Sequence, residues 1–241
     1  MQADLKGKVA LVTGAGRGIG RAIAGALARG GAEVVAAART AAEIESLASA
    51  LRAAGHAARA VATDVSVETS VDALFAQIAQ HCGRLDILVN NAGLGLFGPL
   101  EDFPAASFDR LMNVNVRGAF LCSQRALKLM IAQRSGYIIN ISSVVGFKGY
   151  PNQGAYAATK HALMGLTKVL AVEGQKHNIR ASAILPGGVN TALVGDARPD
   201  LKREELLQPE DIAETVMFLL ALPERAAIDE IYIRRRNSQP F

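Results

Sequence analysis

Tryptophan is absent from this 241-residue chain, and aromatic residues make up only 5% of it. Surfaces that bind nucleic acids combine a basic face with aromatic side chains on which the bases stack. The formal charge here is +4, but the basic residues are scattered along the sequence, so we expect no nucleic-acid partner. Arg234–Arg236 is the single run of three basic residues, and its position near a chain end is typical of a solvated surface.

Cysteine and histidine are also scarce. The two cysteines, Cys82 and Cys122, match neither a disulfide framework nor a metal-site spacing, and their apolar helical surroundings predict buried thiols. No charge-free apolar run reaches the ~20 residues that a membrane-spanning helix needs. The N-terminal residues contain no apolar signal-peptide core, so we expect a cytoplasmic protein with no membrane partner. The histidines do not cluster with other ligands and predict no metal site: His56, His81, His161 and His177.

Short apolar segments rich in β-branched residues alternate with segments of helical periodicity along the whole chain. This alternation predicts an α/β fold, a doubly wound parallel sheet of about seven strands with helices on both faces. No linker interrupts it, so residues 1–241 are expected to form a single domain. The predicted strands are 9–12, 33–38, 57–63, 85–90, 137–142, 180–185 and about 230–234.

Gly14, Gly18 and Gly20 lie between the first predicted strand and the first predicted helix. Without side chains the backbone can approach a pyrophosphate, and the free N–H groups and dipole of the helix N-terminus attract it. The spacing, Gly-x3-Gly-x-Gly, differs from the commoner dinucleotide fingerprint Gly-x-Gly-x2-Gly. The stretch favours a nucleotide site over an ordinary glycine-rich turn.

The residue type at the end of the second predicted strand distinguishes a site for NAD from a site for NADP. An acidic residue there would bond the ribose 2′-hydroxyl of NAD, but the strand ends in Ala37-Ala38-Arg39-Thr40. Arg39, together with Arg17 of the glycine loop, would instead flank a 2′-phosphate, because guanidinium groups suit that dianion. We expect NADP(H) to be preferred over NAD(H); the alternative is two solvent-exposed arginines.

Polar residues follow the third and fourth predicted strands. Asp64, which precedes Val65, either caps the next helix or accepts a hydrogen bond from an adenine amino group. Asn91, Ala92 and Gly93 follow the fourth strand, which in a doubly wound sheet lies beside the first, at the switch point where such folds bind ligands. A simple turn is the alternative, since Asn and Gly tolerate left-handed backbone. The position favours cofactor support.

Asn115 and Gly118 are poor helix formers inside a predicted helix at about 105–134. Two such residues three positions apart indicate a local kink or a backbone carbonyl freed for a water. A polar side chain satisfied within the protein is the alternative.

Tyr156 and Lys160 lie four residues apart in a predicted helix and therefore share one face of it. An ammonium group on the same face as a phenol favours the phenolate and lowers the tyrosine pKa from its ordinary value of about 10. Together with the charge of an oxidised nicotinamide, the lysine would let this phenol give or take a proton near neutral pH. Ser143, at the end of the preceding strand, can hold a carbonyl oxygen without adding charge.

Together these motifs resemble the short-chain dehydrogenase/reductase family, whose pattern they follow in order from residue 13 to residue 191. The resemblance implies a Rossmann fold in which Tyr156 is the acid/base, Ser143 orients the substrate oxygen and Lys160 binds the nicotinamide ribose. It also implies that Asn115 completes a water-linked proton relay and that Thr191 bonds the nicotinamide carboxamide. The cofactor-binding positions it implies are Gly14, Arg17, Gly18, Ile19, Gly20, Arg39, Asp64, Val65, Asn91, Ala92, Gly93, Tyr156, Lys160, Pro186, Gly187, Val189 and Thr191.

Substrate choice in this family rests on the segment after the sixth strand, here about residues 192–208, whose short polar sequence predicts a mobile lid. The chain end lacks the Thr-Gly and Asp-Gly-Gly of 3-oxoacyl-carrier-protein reductases and is more similar to broad 3-hydroxy-acid and secondary-alcohol dehydrogenases. An apolar wall would suit a small or medium ketone. Its candidate residues, with plain core packing as the alternative, are Leu94, Leu96, Phe97, Val145, Phe147, Tyr150 and Leu193.

The resemblance implies an NADP(H)-dependent oxidoreductase that interconverts a ketone and a secondary alcohol by hydride transfer. A 3-oxoacyl-[acyl-carrier-protein] reductase is the alternative assignment of substrate. A non-catalytic NADP(H)-sensing protein is the alternative from another class, although a lapsed enzyme would be free to lose Tyr156 or Lys160. The apolar surface of the helices that begin near residues 105 and 155 predicts a homodimer or homotetramer, as in family members.

Overall fold

Seven parallel strands form one sheet in the computed structural model, which describes residues 3–197 and 202–240. The strands are β1 (Val9–Thr13), β2 (Glu33–Ala38), β3 (Ala58–Ala62), β4 (Ile87–Asn90), β5 (Gly136–Ile141), β6 (Ile179–Pro186) and β7 (Glu230–Ile233). Their order across the sheet is β3-β2-β1-β4-β5-β6-β7, and every neighbouring pair is parallel. The predicted doubly wound parallel sheet is thus confirmed.

Helices cover both faces of this sheet. The helices are α1 (Gly18–Arg29), α2 (Ala41–Ala53), α3 (Glu68–His81), α4 (Ala105–Met112), α5 (Gly118–Gln133), α6 (Gly154–Gln175), α7 (Ala192–Ala197) and α8 (Pro209–Leu220). Helices α1, α2 and α8 pack on one face, and α3, α5 and α6 pack on the other. Strands β1, β4 and β5 are almost wholly buried, as expected of central parallel strands. Within the described ranges, no helix has the length and apolar character needed to cross a bilayer.

A π-helical turn, Asn113–Arg117, separates α4 from α5. It lies at the place where Asn115 and Gly118 predict a local kink in the helix at 105–134. A side chain at position 118 would also clash with Val65, because a Cβ on Gly118 would lie 2.7 Å from Val65 Cγ2. The two poor helix formers therefore mark a wider turn of the backbone, of the kind often found at functional sites.

Two local predictions around α3 are wrong. The helix begins at Glu68, because the Asp64 carboxylate accepts hydrogen bonds from the N–H (2.9 Å) and the hydroxyl (2.6 Å) of Ser66 and so forms a turn before it. Asp64 therefore does not cap α3. Cys82, which follows α3, is only partly buried and lies 3.6 Å from Glu33 Oε1, whereas Cys122 is buried as predicted.

The segment predicted as a mobile lid, about residues 192–208, contains α7 and a 3-10 turn at Arg203–Glu205. A parallel β-bridge joins Val189, just before this segment, to Leu207 near its end. The part of this prediction that concerns residues 198–201 lies outside the described residues.

The basic run at the chain end is only partly solvated, contrary to expectation. The guanidinium of Arg234 donates hydrogen bonds to three backbone carbonyl oxygens, those of Arg235, Arg236 and Ser238. Arg235 forms an ion pair with Glu205 at 3.7 Å, and its side chain is 15% exposed. Arg236 alone of the three arginines is exposed. The prediction of a solvated run is wrong because backbone carbonyl oxygens and the Glu205 carboxylate accept hydrogen bonds and pair with these arginines. Their position in the sequence does not indicate these contacts.

Gly20 and Gly25 lie in the same helix, α1, but a methyl group added to each would meet different surroundings. A Cβ on Gly20 would lie 2.3 Å from the Gly14 carbonyl oxygen, whereas on Gly25 it would meet the flexible guanidinium of Arg29 at 3.3 Å. We expect Gly20→Ala to lower the free energy of unfolding by about 1–3 kcal/mol through overpacking. Gly25→Ala should leave it unchanged or raise it by up to about 1 kcal/mol, the helix preference of alanine. Urea titrations measure both values, and equal stabilities would contradict the close packing of the glycine loop.

Candidate active site

The loops that follow β1 and β4 are fastened together at the point where the strand order reverses. The Asn91 carboxamide donates hydrogen bonds to the carbonyl oxygens of Thr13 (3.0 Å) and Gly14 (3.2 Å). In return, the Thr13 hydroxyl accepts the N–H groups of Asn91 (3.1 Å) and Ala92 (3.0 Å). A Cβ on Gly14 would lie 2.8 Å from Ala92 Cα, and its φ of +66° also favours glycine. The structure thus brings the two predicted loops into contact, with Thr13 as the link.

The N-terminus of α1 has the properties of an anion site. Its first turn contains no acidic residue, and Arg17 precedes it in extended conformation. The free N–H groups and the dipole of such a terminus favour a negative charge. Arg17 and Arg39 are both exposed, and Arg39 directly follows β2, the neighbour of β1. The two predicted arginines therefore belong to adjacent strand ends on the same edge of the sheet.

Glu43 is a residue of this region to which the sequence patterns did not point. A Cβ on Gly16 would lie 2.4 Å from Glu43 Oε2, so the glutamate side chain covers the glycine loop at this position. Arg21 joins the same two residues by donating to the carbonyl oxygens of Gly16 and Glu43, each at 3.4 Å. An acid in the first turn of α2 is ordinary helix chemistry, and only the packing of α2 against the loop reveals the contact.

The segment after β6 approaches the glycine loop. Pro186 ends β6, and Gly187 and Val189 follow it. Thr191 faces the glycine loop, since a Cβ on Gly18 would lie 3.2 Å from its Cγ2. The predicted carboxamide-binding residue therefore lies against the N-terminus of α1.

The remaining predicted cofactor residues also lie along this edge. Asp64 and Val65 follow β3; Asp64 is engaged with Ser66, and Val65 is buried against Gly118. Ile19, in the first turn of α1, packs partly buried against the core beneath the loop. Asp64 is thus held in place by its own turn, and this leaves its predicted contact with adenine as a prediction.

Ser143, Tyr156 and Lys160 are brought together at the carboxyl end of β5. The Ser143 side chain lies near the Tyr156 hydroxyl and lowers its pKa. The Lys160 ammonium donates to the Ile141 carbonyl oxygen at 3.0 Å and lies 5.6 Å from the centroid of the Tyr156 ring. Ser143 Oγ also accepts the Val145 N–H at 3.3 Å, which orients the hydroxyl. The structure therefore places all three predicted side chains in one cluster.

Burial dominates the ionisation of this cluster, because Tyr156 is only 8% exposed and Lys160 only 6%. It raises the pKa of Tyr156 to about 12, and the opposing influence of the Ser143 side chain offsets only part of that rise. It lowers the pKa of Lys160 to about 8. The expectation that Lys160 lowers the pKa of Tyr156 below its ordinary value is therefore wrong for the residues of this chain alone. Desolvation of the phenolate outweighs the groups that favour it.

Asn115 uses its buried carboxamide to hold the loop after β4. Its Oδ1 accepts the Leu94 N–H at 2.9 Å, and its Nδ2 donates to the Leu94 carbonyl oxygen at 2.9 Å. Nδ2 also donates to the Thr159 hydroxyl at 3.1 Å, a link to α6 that the sequence patterns did not reveal. A Cβ on Gly93 would lie 3.4 Å from Asn115 Oδ1 and 3.9 Å from Lys160 Nζ. The side chain is thus satisfied within the protein, and Gly93 keeps open the space between Asn115 and Lys160.

An apolar wall surrounds Tyr156. The ring of Phe97 meets that of Tyr156 edge to face, with centroids 5.4 Å apart and planes at 71°. Leu193 of α7 reaches the same region, because a Cβ on Gly95 would lie 2.5 Å from the Phe97 ring and 3.2 Å from Leu193 Cγ. The other apolar residues of this cluster are Leu94, Leu96, Phe103, Leu111, Val145, Ala155 and Ala157.

Two residues predicted for this wall, Phe147 and Tyr150, lie largely in solvent, with exposed fractions of 52% and 39%. The ring of Phe147 packs edge to face against Tyr232 of β7, with centroids 5.4 Å apart. Phe147 therefore belongs to a contact with the chain end, outside the cluster around Tyr156.

This chain belongs to the short-chain dehydrogenase family: residues 8–202 match the family model described as short chain dehydrogenase. The resemblance inferred from the motifs is thereby confirmed.

Solved structures and a curated relative agree with this assignment. A metagenomic short-chain oxidoreductase in complex with NADP is 35% identical, with a TM-score of 0.86 over 98% of this chain and 100% of that chain. An alcohol dehydrogenase from the archaeon Thermococcus sibiricus, complexed with 5-hydroxy-NADP, is 33% identical, with a TM-score of 0.90 over 97% and 99%. The 2-(S)-hydroxypropyl-CoM dehydrogenase 3 of Xanthobacter autotrophicus is 38% identical over 165 residues, which are 63% of this chain and 65% of that relative's length.

The buried Lys160 makes a prediction about stability at alkaline pH. Its pKa is lowered from 10.5 to about 8 in the folded chain, so between these values the unfolded chain binds the proton that the folded chain has released. The free energy of unfolding of the wild type should therefore rise with pH relative to Lys160→Met, by up to about 3 kcal/mol between about pH 8 and about pH 10. Urea titrations at both pH values measure it. Lys176→Met, which removes an exposed lysine after the same helix, is the control and should follow the wild type. If the free energy of unfolding of Lys160→Met changes with pH as that of the wild type does, the lowered pKa of Lys160 is contradicted.

Proposed function

We propose that this chain is an NADP(H)-dependent oxidoreductase that interconverts a ketone and a secondary alcohol by hydride transfer. The observation that carries the proposal is the buried cluster of Ser143, Tyr156 and Lys160 beside an apolar wall. A phenol with a hydroxyl group beside it offers two donors to a single carbonyl oxygen, the arrangement that ketone reduction needs. The names of two similar proteins, a 2-(S)-hydroxypropyl-CoM dehydrogenase and an alcohol dehydrogenase, support an alcohol or ketone substrate.

A nicotinamide dinucleotide fits the residues at the strand reversal. The first turn of α1 lacks acidic residues, and Gly14 and Gly20 have no room for side chains, so backbone can approach a pyrophosphate there. Arg17 and Arg39 would hold a 2′-phosphate, and Thr191 would bond the carboxamide. NADP or an analogue is bound in two similar solved structures, which supports this cofactor. When bound, the dinucleotide supplies or accepts the hydride.

The side chains of this chain would manage the proton. A pKa of about 12 keeps Tyr156 protonated at neutral pH, the form that can donate to a substrate oxygen held by Ser143. As the phenolate forms, the nearby Lys160 ammonium stabilises it, since a pKa of about 8 leaves the lysine mainly protonated near neutral pH. Gly93 leaves space between Lys160 and Asn115, and a water there would return a proton to Tyr156.

The apolar wall beside Tyr156 suits an uncharged substrate of small or medium size. It is formed by Phe97, Leu193 and the apolar cluster around them, so binding rests on apolar contact, with the polar groups of Ser143 and Tyr156 at one point. Ligand pockets commonly have this distribution, in which a few polar groups fix orientation. A simple ketone or secondary alcohol matches it.

We also propose that the chain pairs with a second copy through α5 and α6. Phe120 of α5 is exposed, as are Val169 and Val172, which lie three residues apart on one face of α6. Large apolar side chains exposed together on neighbouring helices mark an interaction surface. We propose that this surface forms the contact between copies in a homodimer or homotetramer.

Tyr156→Phe tests the proposed proton donor. The variant keeps the ring that packs on Phe97 but removes the hydroxyl, so reduction of ethyl acetoacetate or cyclohexanone should fall by at least ~100-fold, the ordinary contribution of a general acid. The dissociation constant of NADPH, measured by fluorescence, should stay within about twofold. Tyr137→Phe removes a buried hydroxyl at the opposite end of β5 and should leave the rate unchanged. Substantial residual turnover in Tyr156→Phe would mean that the proton comes from elsewhere.

Arg39→Asp tests the proposed cofactor preference. Replacing the guanidinium by a carboxylate should repel a 2′-phosphate and bond a ribose 2′-hydroxyl, so the ratio of NADPH to NADH affinity should fall by at least ~10-fold. Arg29→Asp, with the same charge change at the far end of α1, should leave the ratio as it is. If the ratio is also unchanged in Arg39→Asp, this arginine does not select the cofactor.

A further inference from the structure

The chain end folds back on itself after β7. The Arg234 guanidinium donates to the carbonyl oxygens of Arg235 (3.0 Å), Arg236 (3.2 Å) and Ser238 (2.7 Å). Ser238 in turn donates from its N–H (3.1 Å) and its hydroxyl (2.9 Å) to the Arg235 carbonyl oxygen. These local bonds hold residues 234–238 as a compact turn.

This turn binds the segment after β6 through one carboxylate oxygen of Glu205. The Arg235 guanidinium lies 3.7 Å from Glu205 Oε2, and the Asn237 carboxamide donates to the same atom at 2.9 Å. The side chain of Arg235 is 15% exposed and that of Glu205 40%, so solvent screens the contact less than it screens an ion pair on open surface. Glu205 is thereby fixed from two directions.

The chain end also contacts the loop after β5. Lys148 donates to the Pro240 carbonyl oxygen at 3.2 Å, and Phe147 packs against Tyr232. This loop begins with Ser143, so the chain end contacts both of the segments that flank the Tyr156 pocket.

The segment after β6 reaches that pocket through α7. Arg203, two residues before Glu205, has its Nη2 4.0 Å from the position of a Cβ on Gly195 in α7. Leu193 of α7 lies against Gly95, beside the Phe97 ring that packs on the proposed proton donor. The turn that holds Glu205 therefore lies beside α7, and α7 lies beside the apolar wall around Tyr156.

We propose that Glu205, Arg235 and Asn237 form a brace that positions the substrate wall. They touch none of the reacting groups, so they are positioning residues, which set how well a ketone is held against Tyr156 and not how the proton moves. The expected effect on substrate use rests on the proposed function. The contacts of Glu205 with Arg235 and Asn237 do not depend on it. Loss of the brace should therefore weaken substrate use while NADPH binding is kept.

Glu205→Ala and Arg235→Ala test this proposal, each with a neighbouring control. Glu204→Ala removes the adjacent acid of the same turn, and Arg236→Ala removes the adjacent exposed arginine. With ethyl acetoacetate and cyclohexanone as probes, kcat/KM should fall about 3- to 10-fold in the first two variants, mainly through KM. Both controls, and the NADPH dissociation constant of all four variants, should stay within about twofold of wild type. The charge exchange Glu205→Arg with Arg235→Glu should restore part of the loss.

Hydrogen exchange at the amides of residues 203–207 gives a second measurement that does not depend on turnover. Faster exchange in Glu205→Ala than in Glu204→Ala, at an unchanged Tm, supports the brace. Equal exchange and equal kcat/KM in these two variants would overturn it. If the wild type reduces neither probe, the proposed function fails, and the exchange comparison alone decides whether the brace exists.

Discussion

The contact between the loops after β1 and β4 is the constraint on which the rest of this site depends. Asn91 and Thr13 bond the two loops, and Gly14 and Gly20 leave no space for a side chain between them. Because the strand order reverses here, helices leave to opposite faces of the sheet and open a crevice at its carboxyl edge. The N-terminus of α1, the proposed anion site, then lies on one side of this crevice, and the loop that leads to Gly93 lies on the other.

Burial gives the proposed proton donor its character. Tyr156 lies in an apolar cluster, and its raised pKa keeps it a phenol at neutral pH, which favours donation of a proton to a ketone. Taking a proton from an alcohol requires the phenolate, and only added positive charge nearby offsets the desolvation that opposes it. Lys160 alone does not reverse that balance, because burial also lowers its own pKa. Added positive charge in the crevice would therefore favour the phenolate and proton uptake, whereas without it Tyr156 is suited to donate a proton.

The sequence predicted those parts of the site that depend on local spacing. Tyr156 and Lys160 share a helix face at i and i+4, and strand–helix alternation was enough to predict the parallel sheet. Contacts between distant segments were not predictable: Glu43 over the glycine loop and Glu205 against the chain end depend on how helices and turns pack. The spacing of Tyr156 and Lys160 predicts a lowered tyrosine pKa, whereas in the chain without cofactor burial raises it, because spacing reports which groups are neighbours and not how far water is excluded. For the same reason the sequence position of Arg235 predicts a solvated side chain, whereas the structure pairs it with Glu205.

Transfer of deuterium from NADPH labelled at the hydride position of the nicotinamide tests the central claim most directly. Wild-type protein would be incubated with the labelled cofactor and ethyl acetoacetate or cyclohexanone, and the products analysed by mass spectrometry and NMR. The account predicts a secondary alcohol with one deuterium on its carbinol carbon, formed in proportion to the NADPH consumed. Bound NADPH with no alcohol formed, or alcohol without the label, would contradict it.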